Sequence, residues 1–329
     1  MRRLLNPRAI VGLVLGAIVL SLLLSLSDLR QVALAFQRFP PVLIPVLLGF
    51  IAAREAIRVI EWHYLLHALR FSPLWRHSLL ALLGGDASQI LPAGIYFQNY
   101  LLQQAEGTSF ATSLAATLGM QLLEGAIALL VVGIVGVPGW SWARPAIVVV
   151  LAGYVAFLVL VSRRPVVEWL QRHSPEQRAA KWIADRLSDF LEGIEGLMVP
   201  GVILRAGLLT AAYMAFTVAA FYVVVQAYGL PNIGPLQAAA IYCFVLALII
   251  IIPLPSDLGL SEGGGVGIFL AYGVPLSQGL TIMLISRFAS LLFTELLAGV
   301  AMLVFRREAL HLTKHERPSD EPLPEPSSA

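Results

Sequence analysis

The chain has 329 residues, of which 58% are apolar and only 13% charged, with a formal net charge of +2. That is about half the charged fraction of an ordinary soluble domain, too little polar surface to cover a water-facing exterior. The near-neutral balance excludes a basic nucleic-acid surface, and a lone cysteine, Cys243, excludes an intrachain disulfide and a thiolate metal cluster. In lipid only helices and closed barrels satisfy their own backbone. Long apolar runs without two-residue alternation select helices, so the predicted fold is all-α and polytopic.

Taken in chain order, Met1-Arg2-Arg3 precedes an apolar run from Ala9 to Leu26. That run is longer than a signal-peptide core, with no small-residue cleavage pattern after it, and is read as an uncleaved first span. Val42 to Leu69, Phe110 to Val135, Ala143 to Val161, Val202 to Tyr228 and Leu276 to Phe305 are also long enough to cross. Two stretches are short and interrupted. Ser78 to Leu91 runs into Pro92-Ala93-Gly94 and resumes to Leu102, and Leu236 to Ile252 runs into Pro253-Leu254-Pro255-Ser256-Asp257 before a short stretch from Val266 to Tyr272.

Lys and Arg cluster at Arg2, Arg3 and Arg8, at Arg163, Arg164, Arg172, Arg178 and Lys181, and at Arg306, Arg307 and Lys314, marking both termini and the central loop as cytoplasmic. Those assignments agree only if both interrupted stretches are re-entrant hairpins. The predicted architecture is then about six full spans plus two hairpins, in two inverted-topology repeats. Repeat one covers about residues 9–137 and repeat two about 143–305, all within one transmembrane domain of residues 1–310. Gly107, Leu114 and Leu118 recur at a constant offset as Gly273, Leu280 and Leu284. A connector over 163–200 carries Trp182, Ile183, Leu187, Phe190, Leu191, Ile194 and Leu197 at helical spacing, which fits a helix on the cytoplasmic leaflet or a plain linker. The proline-rich tail 311–329 is expected to be disordered.

Charges in the middle of apolar spans cost about 2.5–3.5 kcal/mol each on insertion scales, so they are paired or functional. Arg54, Arg58 and Glu61, with Glu55 beside them, share helical spacing in the second span, either snorkelling to an interface or buried. Ser113, Thr117, Gln121 and Glu124 form one polar stripe. A stripe wanted only for helix packing would stop at hydroxyls. Arg287 shares a face with Ser290 and Thr294, roughly 15–18 Å past Pro275 and so near the midplane; it would bind phosphate or pair with Glu262. Pro253 to Gly265 cannot be continuous helix on its proline and glycine content. A helix resuming near Glu262 would direct free N–H groups into a cavity fit for an anion. Asp86, Gln89, Gln98 and Asn99 surround Pro92 and Gly94. His63 and His67 are read as interfacial, and no His-Cys-carboxylate cluster suggests a metal or any other cofactor.

The pattern P-x-P-x-x-L-G-x-x-E, here Pro253, Pro255, Leu258, Gly259 and Glu262, followed by Gly273-Val274-Pro275 and Arg287, resembles the flippase-like integral membrane domain of the lysylphosphatidylglycerol synthase family. Leu91-Pro92, Leu101-Leu102 and Gly107-Thr108-Ser109 resemble its first motif. The likeness runs from about Ala9 to Phe305. Ser256-Asp257 replaces the usual glycine pair, Ile95 to Asn99 is uncharged where relatives carry an acid and an Arg, and Met120-Gln121 replaces a Glu-Arg pair. The resemblance implies translocation of a lipid between leaflets, without naming it, and no aminoacyl transfer. The expected protein is a lipid or polyprenyl-phosphate flippase of the bacterial inner membrane, with Arg287, Glu262, Asp257, Ser256, Glu124, Gln121, Asp86, Asn99 and Arg58 at the headgroup. The expected partner is that phosphate-bearing lipid, with self-association left open. Rival readings are an intramembrane enzyme using Asp257 and Glu262 on a lipid headgroup, and a non-transporting scaffold for a glycosyltransferase.

Overall fold

The computed structural model describes residues 37, 39–88, 96–136, 145, 148–154, 156, 191, 193–251 and 259–306, and the described residues include no strand. Eight principal helices follow in order: α1 (Ile44–Ala68), α2 (Trp75–Ala87), α3 (Phe97–Glu106), α4 (Phe110–Val135), α5 (Pro200–Ala227), α6 (Pro235–Ile251), α7 (Leu260–Ala271) and α8 (Leu276–Val304). The first span and the tail lie outside the described residues, as does most of the fifth predicted stretch, of which 148–154 is helical.

The helices form in apolar runs whose prolines are confined to the first turn, and they stop where the backbone must turn. Gly107 ends α3 at φ +67° and Gly273 follows α7 at φ +76°, left-handed conformations that glycine adopts without a Cβ penalty. Each is followed within three residues by a long helix. α4, α5 and α8 are long and apolar enough to cross a bilayer, and α1, at 25 residues, measures about 37 Å at 1.5 Å per residue. The exterior is apolar: on α8, Phe288, Leu292, Leu296, Val300 and Leu303 are all exposed at helical spacing. In water such a stripe would drive aggregation; against lipid tails it is the ordinary outer face.

α1 and α5 cross antiparallel. Glu61 meets Thr210, Arg58 lies over the Tyr213 ring and Phe50 packs with Phe216, so numbers fall along one helix as they rise along the other. α2 and α3 form an antiparallel hairpin. At one end Glu106 accepts from the Leu74 amide at 2.9 Å and contacts His77 Nδ1 at 2.7 Å; at the other, Gly85 lies against Gln98. α6 and α7 pair similarly, with Leu248 against Gly264 near the break and Ile241 sharing a cluster with Phe269. The order long, short, short, long therefore occurs twice. α2 packs on α8, and α6, its counterpart, packs on α4.

Two expectations are corrected. The glycine triplet Gly263 to Gly265 is inside α7, which begins at Leu260. A Cβ on Gly264 would stand 2.8 Å from Leu248 Cδ1, and one on Gly265 would collide with Met283. Close packing of α7 between α6 and α8 outweighs the helical cost of glycine, roughly 1 kcal/mol per residue. The end of the connector also leaves the surface. Leu191, Ile194 and Leu197 are buried, Leu197 within the cluster of Trp62, Leu66 and Met120, so their apolar face covers protein and not a leaflet.

Candidate functional site

Three arginines sit half-way along the helices. Arg58 is 14 residues into α1 (58 minus 44) and Arg287 is 11 into α8 (287 minus 276), about 21 and 17 Å along their axes. Glu124, on α4, is 14 residues from its helix start (124 minus 110). Charges at such positions survive burial only with partners, and here each has one. Arg58 binds Glu124 across α1 and α4, with the Arg58 guanidinium 4.8 Å from the Tyr213 ring centre. Arg54 pairs with Glu55 at 3.0 Å, and Glu55 accepts from Thr294 of α8 at 3.2 Å. Arg287 Nη1 donates to Glu262 Oε1 at 2.7 Å and to Ser261 Oγ at 2.7 Å.

Glu262 is 1% exposed, and its second oxygen accepts from the Gly259 amide at 2.7 Å and from Ser261 Oγ at 2.9 Å. The Gly259 amide at the N-terminus of α7 is thus capped by the chain's own carboxylate. Glu262 closes the helix end on itself and offers its remaining oxygen to Arg287.

These pairs surround a cavity of about 250 Å³ formed by α1, α5, α6, α7 and α8 with Asp86 of α2. Arg54, Arg58 and Arg287 line it together with Glu55, Glu262 and Asp86, and Ser261, Ser286, Ser290 and Thr294 add hydroxyls. The wall also contains Leu47, Ala220, Phe221, Val245 and Ile249. Both charge signs therefore face a partly apolar space, a surface suited to the polar end of an amphipathic molecule.

Of the residues expected at the site, Arg287, Glu262, Asp86 and Arg58 meet at this cavity, and Glu124 stands behind Arg58. Asn99 and Gln121 do not line it. The stripe on α4 divides, because Thr117 accepts from Gln98 at 2.7 Å and lies 2.9 Å from Asn99 Oδ1, tying α4 to α3, whereas only Glu124 turns to α1. Asp257 and Ser256 lie outside the described residues, as do the breaks Pro92, Gly94, Pro253 and Pro255; Gly259 is the residue just before α7. Glu55, Arg58 and Glu61 are all buried within the protein, as the buried alternative for this group expects. His63 and His67 pack edge to face, His63 also meeting Ser78 Oγ at 2.9 Å. Tyr213, Thr217 and Tyr242 line the cavity unforeseen. The available signal was Tyr213 and Thr217, four apart in a largely apolar helix.

An apolar exterior around buried, mutually paired charges defines a polytopic α-helical membrane protein with an internal polar site. The chain belongs to the family of the lysylphosphatidylglycerol synthase transmembrane region, which it matches over residues 9–298. No curated protein matches it.

Proposed function

We propose that this protein moves a lipid with a phosphate or other anionic headgroup, a phospholipid or a polyprenyl phosphate, between the leaflets of a bacterial inner membrane. The observation that carries the reading is the cavity half-way along the helices, where Arg54, Arg58 and Arg287 converge on a space with both polar and apolar walls. A phosphate presents oxygens to a guanidinium fork much as a carboxylate does. The headgroup would therefore exchange with Glu262 and Glu124 for the arginines while its acyl chains stay in lipid. No acid–base pair with a reacting atom between its members is invoked, so the reading is transport and not catalysis.

The two α-helical halves are read as an inverted repeat, α1–α4 and α5–α8, with the α2–α3 and α6–α7 hairpins re-entrant from opposite sides. The antiparallel crossing of α1 and α5 and the exchange-related packing of α2 on α8 and α6 on α4 support this. Transporters so built carry their site at the repeat interface, and the lining of this cavity by helices of both halves supports that reading. Both termini are assigned to the cytoplasm, which requires cysteines introduced at positions 165 and 312 to be spared by an impermeant reagent in intact cells.

Purified protein reconstituted with a fluorescent phosphatidylglycerol tests the function. The expected result is protein-dependent exposure of the fluorophore to an external quencher, lost in Arg287→Gln protein that retains its fold. A change in lipid mass would favour the enzyme instead, and no lipid movement at all would favour the scaffold.

A further inference from the structure

Glu61 stands apart from the cavity. It is 0% exposed, on α1 beside Trp62 and where α5 crosses. Oε1 lies 2.6 Å from Thr210 Oγ1, and Oε2 has no hydrogen-bond partner. An ionised carboxylate there would leave half its charge bare in apolar surroundings, among the costliest arrangements a fold can hold.

The neighbouring hydroxyl accounts for the geometry differently. Thr210 Oγ1 is also 2.9 Å from the Ala206 carbonyl, yet a hydroxyl has one proton to give. If Glu61 is neutral, its own O–H donates to Thr210 Oγ1, and Thr210 donates onward to Ala206. Both short contacts are then hydrogen bonds, and the oxygen left bare is an uncharged carbonyl.

The charged group acting on Glu61 is Arg58, one turn earlier on α1. Arg58 is committed to Glu124 of α4 and stacked on Tyr213 of α5. From α2, Ser78 faces His63 of α1; from α8, Thr294 faces Glu55; on α5, Arg205 is exposed. Arg58 is thus in direct contact with Glu124 and acts on Glu61 from one turn away, with Glu55 and Asp86 the other carboxylates acting on it.

We propose that Glu61 is a proton-binding site, and that Arg58 controls it by exchanging partners between Glu124 and Glu61. With Arg58 on Glu124, Glu61 holds its proton. When Arg58 turns to Glu61, that proton leaves to water and Glu124, deprived of its cation, takes one up. Such paired sites titrate as a unit. Because Arg58 also lines the cavity, an anion arriving there competes for the same guanidinium. The proton site stands independently of the lipid reading, since its test involves no lipid movement.

The test is infrared difference spectroscopy on the full chain in nanodiscs at neutral pH. Wild type minus Glu61→Gln is expected to show the carbonyl stretch of one neutral carboxylic acid, shifted to higher frequency in Thr210→Val as its hydrogen bond is lost. Glu124→Gln, which releases Arg58, should abolish that band; Arg58→Gln should retain it and add a second from Glu124. No neutral-acid band in wild type, or a Glu61 band untouched in Glu124→Gln, overturns the proposal. Arg58→Gln keeps it decidable should Glu124→Gln fail to fold.

Discussion

Arg287 of α8 and Glu262 of α7 meet at 2.7 Å across the turn that separates their helices. The Glu262 side chain is 1% exposed and that of Arg287 21%, so the carboxylate is fixed by its surroundings while the guanidinium looks into the cavity. Glu262 retains Gly259 and Ser261 as donors whatever Arg287 does. The pair is therefore asymmetric: its acid is structural, and its base can change partners.

From this asymmetry, Arg287→Gln should purify folded, destabilised by about 1–3 kcal/mol, below the value for breaking a fully buried pair because Arg287 is partly exposed. Glu262→Gln in the same chain should restore much of the thermal stability. Lipid movement should be absent from both variants, and Arg287→Lys should keep little of it, since a point charge lacks the planar fork. Normal transport by folded Arg287→Gln protein would remove Arg287 from the headgroup site.

Arg58 and Glu124 are more enclosed, with side-chain exposures of 9% and 8%. Glu124→Ala should cost about 3–5 kcal/mol, since it strands a buried guanidinium. The double variant Arg58→Met, Glu124→Leu should recover most of that loss, as apolar replacement of a buried pair often does, yet move no lipid. Melting curves of the three proteins check the stabilities, and normal lipid movement by the double variant would leave the pair a role in stability alone.

Two glycines at helix contacts should respond differently to alanine. A Cβ on Gly85 would lie 2.6 Å from Gln98 Cβ and 3.0 Å from its backbone nitrogen, atoms that cannot yield without opening the α2–α3 hairpin. The expected loss is about 1–3 kcal/mol. At Gly265 the obstacle is the side chain of Met283, flexible enough to step aside, and the loss should be smaller. Equal losses in thermal melts would contradict the packing described.

Cysteine chemistry should map the two faces of α8. Ser290 lines the cavity and Leu292 is exposed on the apolar exterior. A small water-soluble thiol reagent should modify Ser290→Cys in membranes and leave Leu292→Cys untouched. Native Cys243, 1% exposed, gives no background. Reversed reactivity would place the cavity on the wrong side of the helix.

The sequence by itself determined the solvent and the secondary structure. A charged fraction of 13% leaves lipid as the only exterior, and the helices at Phe110–Val135 and Leu276–Val304 follow from apolar run length. It also identified Arg58, Glu124, Glu262 and Arg287 as charges needing an explanation, because that cost depends on position along a span and not on the partner. Tertiary structure decided which charges meet. Period and spacing place Ser113, Thr117, Gln121 and Glu124 on one face of α4, but not that α3 takes Thr117 while α1 takes Glu124. The glycine triplet read as a break becomes helix because α6 and α8 press against it. Spacing left Arg54 and Glu55 either interfacial or buried, and the crossing of α1 with α5 puts them in the cavity wall. Local sequence fixes the direction a side chain takes from its own helix; only packing fixes what stands opposite, and for a buried charge the partner is what permits it to be there.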